Sequence, residues 1–250
     1  YGPLGKRTDA LGAGALEGFA WCAFELGDDA ACAQRIAAAA AHPQAKTTEP
    51  ALLELQSALQ HRQRDWKAAI ATAERFLAGY GKHEKAPAMR YALGIAQARA
   101  NMHAEARRTF TELASAGNYE RMDRVQYELA WACRRGGDEA AALAAFGRVV
   151  ELSKDKDLVG EARLHLGTAQ LAKGGVDAAR EQLAGVQGRY RGRALYQIAF
   201  ADLEASEKEP ARLQRAEPLF AEIAAMADEP LAPEALFLCG ECRRRAGDAA

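Results

Sequence analysis

Small residues recur at Ala20, Ser57, Gly94, Ala130 and Gly167, in steps of 37, 37, 36 and 37 residues. A second small position follows, mostly twelve residues behind each, at Cys32, Ala69, Ala106, Ala142 and Ala179, and stays in phase to Ala216. Bulky residues keep the same register. One copy has Tyr91, Leu93 and Phe110, the next Tyr127, Leu129 and Phe146, and a third Leu164, Leu166 and Leu183. A fixed period of this size rules out a globule with one central core. It calls for a stack of similar units, each packed only on its neighbours.

Each unit reads as two helices. Apolar residues fall three, four and seven apart in the first, as in Leu52, Leu55 and Leu59, and again in the second, as in Ala69, Ala73, Phe76 and Leu77. Between the two lie Gly27-Asp28, Arg64-Asp65, Asn101-Met102, Gly137-Asp138, Gly174-Gly175 and Gly247-Asp248. Gly or Asn can take the left-handed conformation that ends a helix. An Asp beside it can cap the helix that follows. So short a connection forces an antiparallel hairpin. Pro50, Pro87 and Pro233 each stand seven residues before a small position (Ser57, Gly94, Gly240). They mark helix starts, with the first helical position expected, where a missing N–H is not needed.

The small pair has a physical reading. Gly94 and Ala106 are expected on facing helices of one hairpin, where small side chains let the backbones approach. Leu93 and Phe110 then fill the space beside that contact.

The sixth unit departs from the pattern. Its first helix starts near Gly192 and its second stays in phase at Ala216 and Phe220, but Ser206-Glu207-Lys208-Glu209-Pro210 is inserted between them. Pro218 falls inside the second helix, where a kink or a late start is expected. The insertion reads either as a tolerated surface turn or as a partner contact.

Composition narrows the function. The 250 residues carry a net charge of −1, which argues against bulk nucleic-acid binding. No stretch of 18 apolar residues is present to span a membrane. The chain opens at Tyr1-Gly2-Pro3 without an initiator Met and stops at Gly247-Asp248, inside a unit, so it reads as a fragment of a longer protein. Cys22, Cys32, Cys133, Cys239 and Cys242 are odd in number and lack framework spacing. Most sit where small apolar residues are expected, which suits buried thiols and a reducing compartment.

No catalytic set emerges. Cys239-Gly240-Glu241-Cys242 invites a thiol–disulfide reading. That chemistry wants its first Cys at a helix N-terminus beside a βαβ unit, and here Cys239 falls within an expected helix with no strand pattern anywhere. The five histidines, His42, His61, His83, His103 and His165, are scattered, and no zinc spacing exists. No catalytic residue, cofactor site or metal site is assigned, and the chain is read as a non-enzyme.

The motif Gly94, Ala106, Phe110, repeated at Gly167, Ala179, Leu183, resembles the tetratricopeptide repeat, with its small eighth position, alanine at the twentieth and large residue at the twenty-fourth. The resemblance covers about residues 12–250. It implies an all-α solenoid of antiparallel helix pairs in a right-handed superhelix, a single array with units near 12–48, 49–86, 87–122, 123–159, 160–191, 192–231 and a partial 232–250. The long period, and the segment from Pro233 to Cys242, look similar to repeats of bacterial cell-envelope proteins. The location is left between periplasm or envelope and cytoplasm.

The resemblance also implies a function: a scaffold that binds a partner protein or peptide in the groove lined by the first helices. The alternative is a structural spacer or assembly subunit of a larger envelope protein, and a thiol redox protein comes behind both. Family groove positions fall on Ala88, Tyr91, Ile95, Ala98 and Arg99 in the third unit. In the fourth they fall on Arg124, Tyr127, Trp131, Arg134 and Arg135, with Glu54, His61 and Arg62 from the second. Five arginines against one glutamate favour an acidic or C-terminal segment. The expected partner-binding residues are Tyr91, Arg99, Tyr127, Trp131, Arg134 and Arg135. Tyr127 and Trp131 read equally well as packing residues, and Arg134 and Arg135 as complements to a helix C-terminus.

Overall fold

A computed structural model describes residues 3–247, and every regular element among them is helical. The chain divides into two compact units that meet in sequence at Asp138–Glu139. The first holds α1 (Ala10–Glu25), α2 (Asp29–Ala40), α3 (Glu49–Gln63), α4 (Trp66–Tyr80), α5 (Ala86–Arg99), α6 (His103–Ala116) and α7 (Met122–Arg135). The second holds α8 (Glu139–Leu152), α9 (Lys156–Ala172), α10 (Val176–Ala184), α11 (Arg191–Ala205), α12 (Leu213–Ala224) and α13 (Ala232–Ala246).

The turns follow the expected positions closely. Gly27, Arg64, Asn101, Gly137, Gly174 and Gly247 all have positive φ, between 59° and 88°. The residue after five of them sends its backbone N–H back to the carbonyl five positions earlier. The pairs are Asp28 to Ala23, Asp65 to Gln60, Met102 to Gln97, Asp138 to Cys133 and Gly175 to Gln170, at 2.9–3.0 Å. This is the Schellman closure, which satisfies carbonyls left over at the helix end. Asp28 and Asp65 then accept from the backbone N–H of Ala31 and Ala68 at 2.9 and 3.1 Å, capping α2 and α4. Arg64 does what Gly does elsewhere despite its Cβ, which costs roughly 1–2 kcal/mol in a left-handed conformation. The partner of Gly247 in its dipeptide, Asp248, lies outside the described residues.

Pro50, Pro87 and Pro233 occupy the second helical position of α3, α5 and α13, not the first. The reason is unchanged: the first four helical N–H groups lack intrahelical partners. Pro218 sits inside α12, which starts at Leu213 ahead of it and runs through it, so no late start occurs.

Within the first unit, successive helices pack in order, and the first helices of neighbouring hairpins also touch: α1 with α3, α3 with α5, α5 with α7. The odd-numbered helices therefore form one continuous layer there. In the second unit α9 touches α11 in the same way. The small residues sit inside these contacts. Ala106, Ala142 and Ala179 are fully buried, and Gly94 and Gly167 are buried as well.

One detail of the expected packing changes. A Cβ built on Gly94 would meet the Phe110 ring at 2.6 Å, and one on Gly167 would meet the Leu183 side chain at 2.4 Å. The bulky residue lies over the glycine itself, not beside a backbone–backbone contact. The pair is a notch and a knob. A Cβ built on Gly240, expected to play the same part, would meet nothing within 4 Å among the described residues. Phe76, Phe110, Phe146 and Phe220 are fully buried, and each contributes roughly 1.5–3 kcal/mol relative to an exposed ring.

Candidate functional site

A cavity of about 230 Å³ opens along the odd-helix layer of the first unit. Ala98 and Arg99 at the end of α5 line it, with His103 at the start of α6. From α7 come Tyr127, Glu128, Trp131, Ala132 and Arg135. Helical spacing explains the α7 set: Tyr127 and Trp131 are four apart, as are Glu128 and Ala132, so the two pairs run down adjacent rows of one face. The rings of Tyr127 and Trp131 meet edge to face, with centroids 6.4 Å apart.

Four of the six expected binding residues, Arg99, Tyr127, Trp131 and Arg135, thus line one cavity. Arg134 does not line it, but its guanidinium lies 5.8 Å from the Trp131 ring, the same distance as that of Arg135. Such cation–ring contacts are worth about 0.5–1 kcal/mol at exposed sites. Both arginines also occupy the last turn of α7 and complement its dipole. Tyr91 sits apart. It stacks on Tyr119 at 5.2 Å and meets Phe110 edge-on at 5.9 Å, within the apolar cluster that also takes in Ile95 and Ala98. Burial, with Glu128 second, pushes its hydroxyl up to about 12.

Three lining residues escaped the sequence reading, Ala132 and the polar pair Glu128 and His103. Glu128 brings a carboxylate among the arginines. Burial raises its pKa, and Arg99, Arg135 and Arg124 pull the other way. No ion pair forms to Arg99 or Arg135 within 4 Å among the described residues, so both guanidinium groups keep their donors uncommitted. His103 Nδ1 is buried with no hydrogen-bond partner. A buried nitrogen in that state needs water or a ligand group. Spacing could have found Glu128, one residue after Tyr127 on the same helix. Nothing in the sequence marks His103.

Other expected groove residues are committed elsewhere. Arg62 donates to the carbonyl of Phe24 at 2.8 Å, pairs with Asp29 and lies 3.8 Å over the Phe24 ring, fastening the end of α1. Glu54 pairs with Lys85 at 3.6 Å. His61 packs edge-on against Trp66, and burial lowers its pKa.

The cysteines are all free thiols. Cys22 is exposed, and Cys32, Cys133, Cys239 and Cys242 are buried. Cys239 donates to Glu217 at 3.4 Å; burial, and then that bond, raise its pKa. Burial pushes Cys242 up to about 11. A reactive thiolate needs a shift in the opposite direction. Among the described residues no group of His, Cys, Asp and Glu is arranged to hold a metal, and no helix is long and apolar enough to cross a membrane.

Hairpins with repeated small–large pairs, Schellman turns and a layer of contacting first helices define an α-solenoid of helical hairpins. Two solved structures with this architecture are similar to the chain. One is YrrB, described as a TPR protein with an unusual peptide-binding site, at 23% identity and a TM-score of 0.53, over 74% of this chain and 90% of that one. The other is the apo form of the quorum sensor NprR from B. thuringiensis, at 14% identity and a TM-score of 0.54, over 96% of this chain and 72% of that one. The fold they share with this chain is a TPR-like α-solenoid of antiparallel helix pairs. No protein-family profile and no curated protein matches the sequence.

Proposed function

We propose that this chain is a non-catalytic interaction scaffold that holds an acidic or C-terminal peptide segment of a partner protein along α5 and α7. The observation that carries the reading is the α5–α7 cavity: Arg99 and Arg135 line it without an ion-pair partner, beside the Tyr127–Trp131 pair and the unpaired His103 Nδ1. Arginine forks suit carboxylates, and aromatic faces suit the apolar side chains around them. Glu128 works against an indiscriminate anion site, because a ligand must place its carboxylate on the arginines and away from Glu128. The fold shared with a protein described as peptide-binding supports the same class of function.

A direct test uses a fluorescent peptide rich in Asp and Glu with a free C-terminal carboxylate, and its C-terminal amide as control. Binding should fall with salt, because a Debye length is about 8 Å at physiological ionic strength. Arg99→Ala, Arg135→Ala and Trp131→Ala should each weaken it about fivefold or more, which corresponds to the usual hot-spot loss of about 1 kcal/mol. Changes below twofold in all three would place the binding surface elsewhere.

A further inference from the structure

The insertion of the sixth unit builds a second cavity, in the second unit, of about 540 Å³. Leu171 and Val176 come from the α9–α10 hairpin, Tyr196 and Phe200 from α11, and Glu204 and Glu207 from the end of α11 and the insertion. Tyr196 and Phe200 stack nearly parallel, with centroids 5.9 Å apart and planes at 11°. Phe200 keeps 38% of its surface in solvent, whereas Phe76, Phe110, Phe146 and Phe220 are fully buried. Tyr196 is held in place by donating to Glu234 at 2.7 Å.

The wall is pinned. Asp202, fully buried on α11, pairs with Arg180 of α10 and with Arg212 at 3.3 Å, just past the insertion. Ser206 donates to the carbonyl of Leu203 at 2.6 Å. A preformed wall lowers the ordering cost of binding. The charges on it are mostly uncommitted. Glu209 is taken by Arg212 at 2.9 Å, but Glu204 and Glu207 have no cation within 4 Å among the described residues. Lys208 stands beside them, also without a partner.

We infer that this cavity is a docking subsite for an arginine side chain of a partner protein, distinct from the α5–α7 site and independent of it. An arginine fits each feature at once. Its methylene stem covers Leu171 and Val176. Its planar guanidinium stacks on the exposed Phe200 face and forks to Glu204 or Glu207. Lysine lacks both the plane and the fork. Lys208, which lines the same cavity, repels an incoming cation.

The probe is the peptide acetyl-Ala-Arg-Ala-amide, with acetyl-Ala-norleucine-Ala-amide and acetyl-Ala-Glu-Ala-amide as controls, titrated against the whole chain by NMR. The arginine peptide should give saturable shifts in the amides of residues 196–208, at least threefold tighter than norleucine, and the glutamate peptide none. Glu204→Gln with Glu207→Gln should erase the margin over norleucine, and Phe200→Ala should weaken both peptides. Lys208→Ala should tighten the arginine peptide. All these side chains are exposed, so circular dichroism should show unchanged helix content. Equal binding of arginine and norleucine, no saturable shift at 196–208, or a response spread evenly over the acidic surface would each overturn the assignment.

Discussion

Two hairpins show two ways of closing a helical repeat. The turn between α5 and α6 uses backbone geometry: Asn101 takes φ of 63°, Met102 closes onto Gln97, and Phe110 fills the notch over Gly94. Its one buried side-chain hydrogen bond, from Thr109 to Gln97 at 2.7 Å, is neutral on both sides. The turn between α11 and α12 has no left-handed residue and no such closure. A fully buried carboxylate, Asp202, holds it together with two arginines from flanking elements. Lengthening the turn replaced a local, nearly free solution with an ionic one that requires desolvated charges. The reward is a wall the regular hairpin lacks.

The contrast predicts unequal sensitivities. The largest effect belongs to Asp202→Ala, which takes the carboxylate from Arg180 and leaves Arg212 with only Glu209 and Asp177. Removing one partner of a buried pair costs about 3–5 kcal/mol, so urea denaturation should show a loss of that order. A loss under 1 kcal/mol would mean the ionic cluster is decorative. Next comes Gly94→Leu, which drives a side chain into the Phe110 ring. Overpacking costs about 1–3 kcal/mol or more, and an unchanged melting temperature would refute the notch-and-knob register. Gly240→Ala should go the other way. A Cβ there meets nothing, so the variant should gain about 0.5–1 kcal/mol from helix propensity. Destabilisation would show that Gly240 is covered after all. Smallest is Arg64→Gly. Relief of the left-handed backbone is partly offset by unfolded-state entropy, leaving a gain of a few tenths to about 1 kcal/mol. A thermal midpoint that falls would indicate that the Arg64 side chain matters more than its φ.

Legibility in the sequence followed the period. Turns, helix starts and the Gly94–Phe110 and Gly167–Leu183 pairs recur, so each copy corroborates the others. The placement of Pro50 one position further in shows the resolution limit of that method, since a repeat fixes phase more firmly than boundary. What does not recur was not readable. The Asp202 cluster joins residues 22 and 10 apart across an irregular turn. The capture of Arg62 by the Phe24 carbonyl spans 38 residues and turns a groove candidate into a clamp. Tyr91 and Tyr127 were equivalent by position. Neighbouring Tyr119 and Phe110 engage the former, and only the structure shows the latter lining a cavity with Arg99.

The five backbone closures from Asp28 to Gly175 have a kinetic consequence. Each joins residues five apart and sets up a helix pair whose contacts are close in sequence. A chain dominated by such short loops has low contact order and pays little loop entropy before its first native contacts form. Folding can start at any of these hairpins and spread to either side, with no single obligatory nucleus. The α11–α12 hairpin, whose buried ion cluster assembles only once three elements are in place, should be the slow step in that spread. It should also be the first place where hydrogen exchange reports opening.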